Sequence, residues 1–208
     1  MSFTILGRKS SANVQKVHWI CLEAKIDFIA KNIGGKYGGH DTDEFKKLNP
    51  NGTIPVLIDQ DFILYESNAI IKYISNKYSF LSAEDNVIAA TINQWMDWSS
   101  LVLGIVCANL TAHSMLLPEE KRDSKIVSEA QNKLKDIFDI LNLQFEKNNF
   151  LLGDNLCLAD IPIGCWINRT QILKIDISSH YFLTKWFHRL QDREAFKRAV
   201  VNAPLPPN

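Results

Sequence analysis

No sign of charge prevails in this chain. Its 208 residues hold 23 Lys and Arg against 23 Asp and Glu, and the pI is near 7.0. That balance leaves no electrostatic footprint for nucleic acid or an anionic membrane surface. Cysteine is scarce: Cys21, Cys107, Cys157 and Cys165 lie scattered in apolar segments. With no Cys-x-x-Cys pair and no zinc-ligand spacing, dithiol redox and structural zinc chemistry are excluded, and free buried thiols are expected. No basic start leads into an apolar signal core, and no run of about 18 apolar residues stands out, so the expected compartment is the cytoplasm. Internal repeats and low-complexity stretches are missing as well. The loop Gly34-Gly35-Lys36-Tyr37-Gly38-Gly39-His40 is rich in glycine, but no Gly-Lys-Ser/Thr follows it, which removes the phosphate-loop reading.

What is present is an ordinary globular composition, 46% hydrophobic and 22% charged, long enough for one large domain or two small ones. The chain is organised around Asn49-Pro50-Asn51-Gly52-Thr53-Ile54-Pro55-Val56-Leu57-Ile58-Asp59, which runs on through Phe62-Ile63-Leu64-Tyr65-Glu66-Ser67-Asn68-Ala69-Ile70. Asn-Pro and Asn-Gly are turn signals. Ile54 to Ile58 is β-branched and apolar, Asp59-Gln60-Asp61 turns the chain, and Phe62-Ile63-Leu64 pairs back. Ala69, Ile70, Tyr73 and Ile74 then recur at helical spacing, with Ser67 placed as the N-cap. Pro55 is the anomaly, because a proline cannot donate to a ladder. A cis Ile54–Pro55 bond would turn the Ile54 backbone groups toward a cleft. Beside them the helix start at Ser67 offers free amides and a positive dipole end to an anion. An edge with free backbone groups and a helix end that favours carboxylate together suit an acidic, peptide-like ligand.

Around this stretch, Phe3-Thr4-Ile5-Leu6 reads as a strand and Gly7 to Asn13 as a polar turn. A helix follows, with Val14, Val17, Cys21 and Ala24 on one face, then a strand from Phe28 to Ile33 and a short helix from Phe45 to Leu48. Ser79 to Asn86 is the linker. Beyond it strand signals almost vanish. Ile88, Ile92, Trp95, Met96, Ser99, Leu103, Val106 and Leu110 predict a long helix, which Pro118 ends while opening the next. That next helix carries Ile126, Ala130, Leu134, Ile137, Phe138 and Leu141 on one face. Three more helices follow, Leu158 to Leu173, Tyr181 to Leu190 and Glu194 to Val201, before Pro204, Pro206 and Pro207.

Asn-Pro-Asn-Gly-Thr-Ile-Pro-Val-Leu followed by Tyr-Glu-Ser-Asn-Ala-Ile resembles the glutathione-binding signature of cytosolic-type glutathione S-transferases, bacterial members related to the theta and nu classes above all. The resemblance extends over the whole chain in length and layout. It implies an α/β thioredoxin-like N-terminal domain, residues 1–80, plus an all-α C-terminal helical bundle, residues 87–208. It also implies glutathione as cosubstrate, no metal or organic cofactor, no nucleic-acid or membrane partner, and a homodimer. One departure concerns folding. Many members open the central helix of the second domain with Ser or Thr, two residues, then Asp; here the stretch is Cys157-Leu158-Ala159-Asp160. Asp160 is still expected to accept from first-turn amides, while the weak acceptor Cys157 forfeits part of a cap worth about 1 kcal/mol.

The resemblance also assigns roles. Thiolate, not thiol, is the nucleophile, so a donor must sit beside the ligand sulfur. Theta-type members use a serine after the first strand, which falls on Ser11. Nu-type members use a threonine there and an asparagine two residues on, matching Ser11 and Asn13. Ser10 is the weaker candidate, and all three also fit plain helix caps. Glu66 and Ser67 match the pair that holds the γ-glutamyl end, through the ligand ammonium and carboxylate respectively. Thr53, Ile54 and Pro55 form the segment whose backbone meets the cysteinyl moiety. His40 matches a theta-type histidine that meets the glycyl carboxylate, or is a solvated loop residue. Trp98, Leu103, Val106, Asn109 and His113 are candidate walls for a small hydrophobic electrophile, expected between the first domain and the long helix. Trp95 and Trp166 read as core. The implied reaction is attack of glutathione thiolate on that electrophile. The alternatives are glutathione-dependent disulfide-bond or peroxide reduction, and a non-catalytic partner-binding protein on the same fold.

Overall fold

The computed structural model describes residues 3–205 and divides into two compact units, which are taken in turn. Pro206 and Pro207 fall outside the described residues.

The first unit holds four short strands, β1 (Phe3–Leu6), β2 (Phe28–Lys31), β3 (Val56–Asp59) and β4 (Phe62–Tyr65), in the order β2-β1-β3-β4. β1 pairs parallel with β2 across the helix α1 (Ala12–Glu23), and antiparallel with β3, which pairs antiparallel with β4. Alternation splits the sheet into two apolar faces. Ile5 lies opposite Leu57 in one register, and both are fully buried. The next pair, Leu6 and Val56, points the other way and packs with Phe45 of α2 (Asp43–Leu48), alongside Ile33, Leu48, Ile54, Ile58 and Tyr65. Helix α2 begins where Thr42 accepts from the Phe45 amide at 3.3 Å. Helix α3 (Ser67–Tyr78) packs on α1 and buries Ile70, Ile71 and Ile74.

Boundaries differ from those read in the sequence: α2 begins at Asp43 instead of Phe45. β2 stops at Lys31 instead of Ile33, and β3 begins at Val56 instead of Ile54. The Ile54–Pro55 bond is cis and lies outside the ladder. Gly7, at φ +151°, makes room for this segment: a Cβ there would lie 2.5 Å from Val14 Cγ2 and 3.3 Å from Ile54 Cβ.

One electrostatic cluster anchors the hairpin. Asp59 accepts from Tyr73 Oη at 2.5 Å and from Lys77 Nζ. Burial raises the Asp59 pKa, but the hydrogen bonds from Lys77 and Tyr73 and the Lys77 charge outweigh it and hold the carboxyl below its ordinary value. A depressed carboxyl contributes stability above its unfolded pKa, near 3.9, and that contribution disappears as pH falls through the lower folded value. Asp59→Asn should therefore flatten the fall in melting temperature below about pH 4. Parallel pH melts of the two proteins check this; equal acid slopes would remove the linkage.

The chain returns to this unit at its end. α9 (Glu194–Phe196) and the wide turn Lys197–Val201 pack on α1, where the rings of Phe196 and Trp19 meet edge to face at 4.7 Å. The sequence reading carried the second domain through to residue 208; in the structure the described segment from Glu194 to Leu205 groups with the first unit.

The second unit, Leu81 to Arg193, is helical. Asn86–Leu116 is one continuous helical run: α4 (Asn86–Trp98), a π-helical stretch Ser99–Gly104, α5 (Ile105–Thr111) and a second π-helical stretch Ala112–Leu116. Each widening follows a hydroxyl that bonds back to the helix, Ser99 to the Met96 carbonyl at 2.9 Å and Thr111 to the Cys107 carbonyl at 2.6 Å. Contrary to expectation, this run is long and apolar enough by composition to cross a bilayer, with a window of mean hydropathy 1.4. It is amphipathic, burying Ile92, Met96, Leu103, Cys107 and Leu110 while exposing Leu101 and Ile105. Pro118 does not open the next helix. It precedes a tight turn, Glu119–Lys121, and α6 (Ser124–Gln144) starts where Asp123 accepts from the Lys125 amide.

α7 (Asp160–Ile172) is buried on all sides from Asp160 to Thr170, the signature of a central helix. Gly104 lets it come close, since a Cβ there would lie 3.1 Å from Trp166 Nε1. α8 (Tyr181–Gln191) covers it with Leu183, Trp186, Phe187 and Leu190. The carboxylate of Asp160 does not accept from the first-turn amides as expected. It reaches back and across, accepting from the Leu151 amide at 3.0 Å, the Cys157 amide at 2.8 Å and Trp186 Nε1 at 2.8 Å. The four cysteines are free thiols. Burial pushes Cys21 up to about 12 and raises Cys107 and Cys157 as well, so these thiols are inert.

Candidate active site

The β1–α1 turn and the start of α3 meet. Ser67 Oγ donates to Asn13 Oδ1 at 3.3 Å, across 54 positions of sequence. On its other side Ser67 Oγ accepts from Lys16 Nζ at 3.3 Å, and Lys16 also donates to Asn68 Oδ1 at 3.5 Å. Ser67 is not the N-cap. It is the first helical residue, and Glu66 holds the cap position at φ +69°, without a side-chain cap bond. The backbone thus leaves the hairpin in a left-handed conformation, which leaves Glu66 exposed and Ser67 only 7% exposed. The first intrahelical bond is Ile70 N–H to the Glu66 carbonyl, so the amides of Ser67, Asn68 and Ala69 lie ahead of the ladder. A hydroxyl, the amides ahead of the ladder and a positive dipole end together suit an anion, and the exposed Glu66 carboxylate lies beside them.

Ser11 stands at the N-cap of α1 with extended backbone, φ −81° and ψ 125°. Its hydroxyl does not cap the helix, and among the described residues it makes no side-chain hydrogen bond. The plain-cap reading of Ser11 therefore does not hold, and a half-buried donor is left available in the turn. Ser10 is buried. Thr53 is exposed and tied down by Asn49, whose amide donates to the Thr53 carbonyl at 2.8 Å and hydroxyl at 3.1 Å. Ile54 is half-buried and Pro55 buried. His40 is half-buried, and its Nδ1 is a buried polar atom with no hydrogen-bond partner among the described residues. Such an orphan suits a ligand group more than a solvated loop residue.

The wall candidates all lie on the long helical run of the second unit. Trp98 is half-buried and stacks edge to face on Trp95 at 5.2 Å. Leu103 is fully buried and Val106 nearly so, so both serve packing first. Asn109 is exposed, and His113 accepts from the Asp123 amide through Nδ1 at 3.1 Å. Of the two tryptophans read as core, Trp166 is buried and Trp95 only half-buried. Lys16 and Asn68 were not legible as site residues. Helix α1 is buried around most of its circumference, so apolar spacing gave no hint that Lys16 points inward.

Residues 6–83 match the model of the glutathione S-transferase N-terminal domain, and residues 107–194 that of the C-terminal domain. A theta class glutathione S-transferase from the citrus canker pathogen Xanthomonas axonopodis pv. citri, solved with glutathione bound, superposes with a TM-score of 0.91. It is 31% identical, over 97% of this chain and 98% of that one. The chain belongs to the glutathione S-transferase family. Within the family it is 29% identical to glutathione S-transferase GstB of Escherichia coli K12, over 95% of this chain and 97% of the relative. It is 27% identical to the disulfide-bond oxidoreductase YfcG of the same strain, over 93% and 92%. The four-stranded sheet with its flanking helices is the family's thioredoxin-like domain, and the helical unit its C-terminal domain.

Proposed function

We propose that this glutathione S-transferase binds glutathione at the start of α3 and transfers its thiolate to a small electrophile. The observation that carries the reading is the 3.3 Å bond from Ser67 Oγ to Asn13 Oδ1, because it brings the carboxylate-binding corner and the donor turn into one place. Glu66 takes the γ-glutamyl ammonium, and the Ser67 hydroxyl and amide take its carboxylate. The Ile54 backbone, beside Thr53 and the cis proline, meets the cysteinyl moiety, and the orphaned Nδ1 of His40 meets the glycyl carboxylate. Ser11 then donates to the sulfur and favours its thiolate. The thiolate attacks an electrophilic carbon; a C–S bond forms and the leaving group departs with its electron pair. Trp98, Leu103, Val106, Asn109 and His113 are the proposed contacts of the electrophile. Reduction of a disulfide by glutathione is the second reading, favoured by the likeness to the oxidoreductase YfcG.

Glutathione at about 100 times its Kd should stabilise the fold by roughly 2.7 kcal/mol. Melts with and without millimolar glutathione test the reading, and an unmoved midpoint would overturn it. Glu66→Ala should abolish most of the shift while leaving the unliganded midpoint nearly in place; Ser67→Ala should abolish it too, and lower the unliganded midpoint because buried Lys16 loses an acceptor. A panel of electrophiles, peroxides and disulfides then separates the two reactions.

The homodimer is proposed on a second observation. On the long helical run Leu101 is 69% exposed and Ile105 52%, one turn apart, with Val102 at 37% beside them. A two-fold partner would cover this apolar stripe. Light scattering should give twice the 23.7 kDa chain mass at micromolar concentration; the monomer mass would refute it.

A further inference from the structure

Lys16 is 2% exposed, and its ammonium lies beneath the surface against the first two residues of α3. An ammonium only donates. Ser67 Oγ therefore accepts from Lys16, which leaves its own proton to be given elsewhere, here to Asn13 Oδ1. A hydroxyl that accepts from a cation is a stronger donor in turn. The positions also add in charge. The start of a helix is its positive end, and Lys16 adds a cation to the same corner, where the one neighbouring acid of α3 is the exposed Glu66 at the cap position. A buried charge is little screened by salt.

We propose that Lys16 is a positioning and specificity-determining residue: it polarises and orients Ser67 so that this corner selects a ligand for its α-carboxylate. The inference rests on the glutathione reading given above. A lysine suits the role, because a compact charge on a flexible stem reaches two adjacent acceptors without needing the flat fork of an arginine.

The rival role is a strut that merely ties α1 to α3. The two roles part when glutathione is compared with its decarboxylated analogue, in which a 4-aminobutanoyl group replaces the γ-glutamyl group. That analogue keeps the ammonium and loses only the α-carboxylate. By calorimetry, the native protein should favour glutathione over the analogue by more than about tenfold, roughly the factor expected for one charge-assisted hydrogen bond. Lys16→Met should weaken glutathione about tenfold and leave the analogue within twofold. It should raise KM for glutathione with kcat at saturation nearly unchanged. Lys16→Arg should restore most of the preference. Equal weakening of both ligands, or no weakening of either, would overturn the proposal. If Lys16→Met fails to fold, Lys16→Gln keeps a donor near Ser67 without the charge and carries the same comparison. A native protein that binds both ligands equally would sink the role of Lys16 while leaving glutathione binding intact. A native protein that binds neither would sink the functional reading itself.

Discussion

Asp160→Ala should give the largest loss of stability of any single substitution considered for this protein. Three N–H donors converge on that buried carboxylate, from Leu151, Cys157 and Trp186. Removing the acceptor leaves all three in a place water does not reach, and each orphaned donor costs about 1–3 kcal/mol. Even the lower bound sums to about 3 kcal/mol, which for a chain of this length lowers the melting temperature by roughly 6–12 °C. The Trp186 contact adds a diagnostic. Its indole stacks on Phe145 at 4.5 Å, so losing the Nε1 anchor should change near-ultraviolet dichroism before the far-ultraviolet signal changes. The glutathione-induced shift should survive at temperatures where the variant is folded, because every proposed ligand contact on the first unit is untouched. A variant within about 1 °C of the native midpoint would mean that the three bonds add nothing net.

Ser11→Ala should give the largest loss of turnover with the least loss of binding. A hydrogen bond to a charged group contributes about 1.5–3 kcal/mol, and one pKa unit corresponds to about 1.36 kcal/mol. One bond from Ser11 would lower the bound thiol by roughly one to two units, from about 8.5 toward 7. Its loss should raise that pKa by about a unit and slow turnover near neutral pH about tenfold, with glutathione affinity little changed. The structure sharpens the control. Asn13 is held by Ser67, whereas the Ser11 hydroxyl has no side-chain partner among the described residues. Asn13→Ala should therefore disturb the carboxylate corner and weaken binding, which Ser11→Ala should not. Ultraviolet titration of the bound thiolate in both variants decides the matter. If only Asn13→Ala moves the titration, the catalytic assignment of Ser11 is wrong.

Much of the first unit was legible because its signals are local. The Asn-Pro and Asn-Gly turns, the β-branched run, the Asp59-Gln60-Asp61 turn and the odd proline each point to one geometry. The candidate site was read from Glu66 and Ser67 as a pair. Which of the two caps α3 was not, because the deciding feature is the positive φ of Glu66, a conformation that the sequence does not advertise for a glutamate. Lys16 was hidden for a different reason. Periodicity finds apolar faces, and a helix buried nearly all round has no polar face against which an inward lysine would stand out. The wide turns of the long helix had no sequence signature, because Thr91 makes the same backward bond as Thr111 within ordinary α-helix. The backward reach of Asp160 depends on Leu151 and Trp186, residues far apart along the chain.

The return of the chain to its first unit has a bearing on how the protein is made. Trp19 is among the largest fully buried side chains, and Phe196 is its edge-to-face cover. A ribosome that has released the first 80 residues has delivered every proposed glutathione contact, but not that cover. N-terminal domains commonly fold while the rest of the polypeptide is still being synthesised. Here the nascent unit must wait, with Trp19 lacking its Phe196 contact, until the whole helical unit has emerged and the last stretch arrives to close it. A message truncated just after the codon for Arg193 would encode an intact ligand corner on an open hydrophobic seam, a product for chaperones and proteases and not for catalysis.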